Sequence, residues 1–288
     1  MIYLYFILLE LKCIKLNLKA DIKVITKNTI DGYIDKIPPS PKALKATLMF
    51  LDSGNLAKAA QIAQTDLALS GYLRGIVNNP LYGFKNEVKE IAQIFGILGL
   101  SGSQQAVYNY MMSLLSPSKW HLFKLNKSTF KTLQDNLSVK WKLILNHLEI
   151  DAKDITSAIT LLPSSIIVAE ALFCEHIEDV KLLKSVKALD YNTILKRLCN
   201  FDLFDICEAV ANKWDMPSEI SQIIQAASGV KPSADVKINL LGKWMHLLLF
   251  YELSQPLFIE AGLNDFIDFQ IEYVGDIYED FSTVMAIS

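Results

Sequence analysis

Apolar residues in this chain recur at intervals of three and four almost from end to end, and nowhere is there a sustained apolar–polar alternation closed by an Asn-Gly or Asp-Gly turn. A period between three and four puts apolar side chains on one face of an α-helix, whereas a half-buried strand needs a period of two. The fold class expected is therefore all-α, with no internal repeat. Composition permits such a core: 51% of residues are apolar and 20% charged, so the chain can bury enough surface to fold.

Local punctuation marks the helices. Ser40-Pro41 reads as an N-cap followed by proline at the first helical position, with Leu44, Leu48 and Leu51 on one face. Asn55 to Gln64 is Ala-rich, and a third helix fits Asp66 to Asn78, closed because the residue before Pro80 avoids the α region. Asn86 to Leu98 and Ser101 to Leu115 follow, then Ser116-Pro117-Ser118 as a hinge. Later helices are expected over Leu125 to His147, Asp154 to Phe173 with an interruption at Pro163, Asp202 to Trp214, Pro217 to Ala227, and Ser233 to Leu253. The organisation predicted is an apolar extension over 1–19, a helical lobe over 20–117 and a second lobe over 118–288.

Several function classes are set aside by charge and residue usage. A net charge of −3 gives no bulk attraction to nucleic acid, so none is expected as a partner. Cys13, Cys174, Cys199 and Cys207 stand far apart without a CxxC pair and read as reduced thiols of a cytoplasmic protein. Met1 to Leu9 is apolar but is ended by Glu10 and Lys12, well short of the ~20 residues of a spanning helix. Leu240 to Tyr251 is short and interrupted by Lys243 and His246, so both runs read as core and no membrane role is expected.

Three motifs in order carry a resemblance. Ile37-Pro38-Pro39-Ser40-Pro41 comes first; Asp66, Leu69, Leu73 and Arg74 lead into Val77-Asn78-Asn79-Pro80-Leu81-Tyr82-Gly83; Ile97-Leu98-Gly99-Leu100 closes the set. From Ile34 to about Ser116 the sequence resembles the N-terminal half of the HDOD domain, an output module related to HD-type metal-dependent phosphohydrolases. Leu67 departs from the family's usual proline, which leaves the helix start intact. The resemblance implies an HD-like helical domain of two packed lobes and a role in bacterial signalling.

Beyond Ser118 the same resemblance loses its chemistry. Leu161-Leu162-Pro163-Ser164 falls where HD enzymes carry L-L-H-D, and neither proline nor serine replaces an imidazole and a carboxylate. Leu203 takes the place of a histidine in a segment relatives write H-x-x-V-G…W-x-L-P, here running on to Trp214-Asp215-Met216-Pro217. Ala226-Ala227 stands where a His-His pair is frequent, and no histidine lies between Phe201 and Ser233. The expectation is a non-catalytic module without metal or cofactor, the alternatives being a phosphohydrolase with relocated ligands or a small-ligand sensor using the former metal pocket.

No other chemistry stands out. There is no phosphate-binding Gly-Lys-Ser/Thr loop and no nucleophile elbow. Gly96-Ile97-Leu98-Gly99 is too apolar to cradle phosphate and reads as a place where helices approach closely. His176 with Glu175, Glu178 and Asp179 reads as a solvated charged turn, and His147 with Glu149 and Asp151 as the polar end of a helix. The lysines from Lys119 to Lys142, interleaved with Trp120, Phe123, Phe130 and Trp141, either hold a nucleotide or acidic partner or divide between solvent and core. Asn78, Asn79 and Tyr82 belong to a loop that serves either structure or recognition. Finally, Ile267, Ile271, Val274, Tyr278, Phe281 and Met285 form a stripe on one predicted helix, whose outer face carries Asp265, Asp268, Glu272, Asp276 and Glu279. With no Lys or Arg after Lys243, that face is expected to meet solvent or an unidentified basic partner in a signalling pathway.

Overall fold

The computed structural model describes residues 25–37, 42–150, 155–187, 189–231 and 233–286; Met1 to Leu9, the extension, Cys13, Asp151 and most of the Ile37-to-Pro41 motif lie outside them. Among the described residues there is no strand, and the chain is all-α.

Short polar side chains set where many helices begin. Helix α1 (Lys27–Lys36) opens on Thr26, α2 is Lys42–Asp52, and α3 (Leu56–Thr65) opens on Asn55, whose carboxamide accepts from the Lys58 amide. The Asp66 carboxylate accepts from Ala68 and Leu69 to start α4 (Leu67–Val77), which explains why the family's proline is dispensable there. Helix α5 (Ile91–Leu115) is broken at Gly99, whose φ of 69° puts a non-helical residue between two helical halves. Asn86 to Glu90, expected to be helical, are not, because the side chain of Asn78 holds Val88 in an extended loop.

The second half begins with α6 (Lys127–His147), capped by Asn126, and a 3-10 turn at Thr156–Leu161 that leads straight into α7 (Leu162–Cys174). Pro163 sits in the first turn of α7, where its missing N–H costs nothing, so the interruption falls before the proline. The stretch Thr156–Cys174 has a mean hydropathy of 1.8, enough by length and composition to cross a membrane, yet 83% of it is buried inside the fold. Then come α8 (Ile177–Lys187), α9 (Tyr191–Cys199), α10 (Leu203–Lys213), α11 (Ser218–Ala227), α12 (Val236–Leu253), α13 (Pro256–Glu260), α14 (Ile271–Val274) and α15 (Tyr278–Ala286).

Helices α2, α3 and α4 pack on α5, and α5 and α6 both pack on the 3-10 turn before α7. Helix α7 meets α1 and α10; α10 meets α11, and α11 meets α12 most intimately of all. Buried apolar residues form one continuous core from Ile25 to Met285. Glu170 on α7 is buried, and its carboxylate accepts the backbone N–H groups of His121, Leu122 and Phe123, fixing the segment after Ser116-Pro117-Ser118 onto the core. The free thiol of Cys174, 3.2 Å from that carboxylate, is pushed up to about 11 by burial and by Glu170.

Candidate functional site

The five positions to which the resemblance assigns the metal ligands of HD enzymes all lie inside the core, on elements that touch. Pro163 and Ser164 are in the first turn of α7, Leu203 is the first residue of α10, and Ala226 and Ala227 end α11; all five are buried. The Ser164 hydroxyl donates to the Leu161 carbonyl at 2.6 Å, and the Leu203 amide donates to the Asn192 side chain. Cys207, one turn along α10 from Leu203, faces the start of α7, its sulfur 3.8 Å from the Leu162 carbonyl. Burial pushes that thiol up to about 12, so it is protonated near neutral pH and a poor ligand.

The end of α11 is closed by α12. A Cβ on Gly242 would lie 2.7 Å from the Ala226 Cβ and 2.8–2.9 Å from the backbone of Ala226 and Ala227. The two helix backbones are as near as glycine and alanine allow, and an imidazole at 226 has no room on the side of α12. The sequence places such a close approach at Gly96 and Gly99 instead, but a Cβ at either meets nothing within 4 Å. Gly99 serves the kink, not the packing.

His246 completes this region. It is fully buried, its Nδ1 is 2.9 Å from the Ala227 carbonyl and its Nε2 is 3.0 Å from the Asp268 carbonyl. The Tyr273 hydroxyl donates to the Ala226 carbonyl, so two side chains satisfy the last carbonyls of α11. Burial is the largest influence on His246 and lowers its pKa, the two carbonyl contacts pulling the other way. The donor set therefore does not fit a metal ion: hydroxyl, high-pKa thiol, Leu and Ala replace imidazoles and carboxylates, and the single histidine is committed to backbone. Among the described residues, no three His, Cys, Asp or Glu side chains come together as a metal site.

The other candidates separate. Asn78 is structural: its Nδ2 donates to the Arg74 and Val88 carbonyls and its Oδ1 accepts from the Val88 amide. Gly83 has the left-handed φ of 67° that the loop requires. The Asn79 amide donates to the Ile76 carbonyl, and Tyr82 is exposed beside Phe84, rings parallel at 6.4 Å. In the basic stretch Phe123, Phe130 and Trp141 are core, Lys131 pairs with Asp135 and Lys140 with the buried Glu252, so it divides between solvent and core. Glu175 and His176 form a turn, and His147 ends α6, where its ring meets Asp280 at 3.0 Å.

The C-terminal stripe is corrected. Residues 264–270 are not helical, and Ile271 and Tyr278 are exposed while Ile267, Val274, Phe281 and Met285 are buried. The left-handed φ of 52° at Gln270 turns the chain between them. The acids are not a single-sign face either: Asp276 pairs with Lys243 at 2.6 Å and Asp265 with Lys184 at 2.9 Å. Asp268, Glu272 and Glu279 remain exposed. Gly242, Cys207 and His246 were not singled out from sequence as site residues; they carry no motif, and only three-dimensional packing brings them to the end of α11.

Known structures share this fold. The chain is similar to an HDOD domain protein of unknown function from Geobacter sulfurreducens, with a TM-score of 0.62 at 14% identity, covering 89% of this chain and 95% of that one. A protein described as a signal transduction protein from Marinobacter aquaeolei VT8 aligns at 0.57 and 15% identity, covering 91% of this chain and 60% of its own length. One described as a phosphohydrolase from Shewanella amazonensis SB2B aligns at 0.57 and 16%, covering 88% and 93%. No curated protein matches the chain. The HDOD domain model matches residues 37–229, from the end of α1 to the turn after α11, and the chain belongs to the HDOD family.

Proposed function

We propose that this chain is a non-catalytic regulatory module of signal transduction, working in the bacterial cytoplasm by binding a protein or ligand. The closed end of α11 carries this reading: Pro163, Ser164, Leu203, Ala226 and Ala227 offer neither imidazole nor carboxylate, and α12 at Gly242 lies so near Ala226 that a longer side chain there would strike it. A phosphohydrolase of the HD type needs several such donors converging on one ion to activate water, and none of these positions can contribute one. The test is turnover. The purified protein, supplied in turn with Mn²⁺, Fe²⁺ and Zn²⁺, is expected to leave phosphomonoesters, cyclic mononucleotides and cyclic dinucleotides unhydrolysed. Metal-dependent turnover that disappears in His176→Ala or His147→Ala would overturn the reading in favour of relocated ligands.

A second reading, a small-ligand sensor, has one observation in its favour. A cavity of about 270 Å³ opens between α1, α5 and α7, with Ser164 and Ile167 on its wall and Lys36 at its edge. It lies against the start of α7, where the family's His-Asp dipeptide would sit.

A further inference from the structure

A further concavity lies outside the family-matched segment, its lining drawn from residues 247–286. It has a volume of about 320 Å³, and its walls are Phe250 and Tyr251 of α12, Phe269, and Tyr278 and Phe281 of α15. The rings support one another: Phe250 and Phe269 are 5.1 Å apart, Phe269 and Tyr278 meet edge-on at 5.4 Å, and Tyr251 and Phe281 at 5.8 Å. Ser254 and Ser282 also line it, but both hydroxyls donate to carbonyls of their own helices. Small-molecule sites fix their ligand with convergent polar groups. This groove has few to offer and suits apolar side chains.

Its surroundings are acidic. Six Asp and Glu residues and no Lys or Arg follow Glu260, and of the six Asp265 and Asp276 pair with lysines elsewhere in the fold. Glu279 adjoins Tyr278 and Glu272 lies on the segment from Phe269 to Tyr278; both are exposed, and among the described residues neither has an ion-pair partner. An occupant should therefore be apolar on one side and basic on the other.

Residues 1–24 of the chain have that character. Met1 to Leu9 is apolar, Leu11, Ile14, Leu18 and Ile22 recur at spacings of three and four, and so do Lys12, Lys15, Lys19 and Lys23, four lysines against Glu10 and Asp21. Their point of attachment is close. Ile25 is buried, Lys27 at the start of α1 lies 5.9 Å from the ring of Phe201, and Phe204 stacks at 5.9 Å on His246, the neighbour of Leu247 in the groove wall. Twenty-four residues span ~36 Å even at the short rise of a helix and roughly twice that when extended, so the path across α10 to the groove is within reach.

We propose that residues 1–24 occupy this aromatic groove of their own chain, apolar side chains against Phe250, Phe269 and Tyr278 and lysines toward Glu272 and Glu279. The inference stands whether or not the chain has an activity.

A short bismaleimide applied to the full-length protein tests it, because Cys13 already lies in the segment. One variant carries Ser282→Cys in the groove wall, and a control carries Ser53→Cys on exposed α2–α3 surface. In monomeric protein the link from Cys13 to position 282 should exceed the link from Cys13 to position 53 by about fivefold or more, through the raised local concentration. Glu272→Lys combined with Glu279→Lys should bring it down toward the control at low salt. Ala286→Cys serves if Ser282→Cys does not fold. Equal yields at positions 282 and 53, indifference to the charge reversal, or a link found only in covalent dimers would overturn the proposal. So would binding of the intact chain to phosphatidylserine vesicles with no excess of the link to position 282, which would make the segment a membrane anchor.

Discussion

Gly242 has no side chain, and the fold depends on that. Because a Cβ there would lie 2.7 Å from Ala226 and under 3 Å from the α11 backbone, Gly242→Ala should cost about 3 kcal/mol, the upper part of the range for overpacked cores. Gly71→Ala in α4, where the added methyl meets nothing within 4 Å, should instead stabilise by roughly 0.5–1 kcal/mol. Chemical denaturation of the pair checks both signs. His246 adds a pH dependence. Buried, its pKa lies below the ordinary 6.5, so the unfolded chain takes up a proton before the folded chain does. The stability contributed by the neutral ring is therefore complete above about pH 6.5 and declines as pH falls from there toward the lowered folded value. Against His246→Phe, the wild-type advantage in unfolding free energy should shrink between pH 7 and 5. An advantage that is flat or grows would mean that the ring is held protonated by its two carbonyls.

Helix positions were largely legible in the sequence, because caps and periods are local. Asn55, Asp66 and Asp202 stand at the N-caps where their helices are expected to begin, Asn126 and Asp235 cap helices expected to begin slightly earlier, at Leu125 and Ser233, and Ile220, Ile223 and Ile224 are buried on α11 as their spacing predicts. Ile224→Ala should cost roughly 2–5 kcal/mol in chemical denaturation, as for other buried aliphatic truncations. What sequence could not supply was any relation between distant segments. The pattern from Ile267 to Met285 looks like one helix because its period is helical, yet Asp268 lends its carbonyl to His246 and Gln270 turns left-handed, which breaks the register. Its acids look uncompensated because Lys243 and Lys184, 33 and 81 residues away along the chain, become neighbours only on folding. Likewise the departures from the HD pattern at 163, 164, 203, 226 and 227 were readable one by one, while the approach of α12 to Ala226 was not.

At the scale of the whole molecule, the architecture is retained while the donor set it would position is absent. A metal that binds the native state raises the melting temperature, and by more the further its concentration exceeds the dissociation constant. Titration with Mn²⁺, Fe²⁺ or Zn²⁺ should therefore leave the melting temperature of this protein unchanged, and a saturable rise would reveal a site that neither sequence nor packing discloses. The approach of α12 to α11 has one more consequence. Writing a histidine back at 226 would not by itself rebuild a centre, because it would strike α12 at Gly242. Reversal would need the helices parted first, a change that by itself only loosens the core. The contact at Gly242 thus works like a ratchet: a longer side chain at 226 is accepted only after the helices have parted, so the order of two substitutions decides whether the fold survives them.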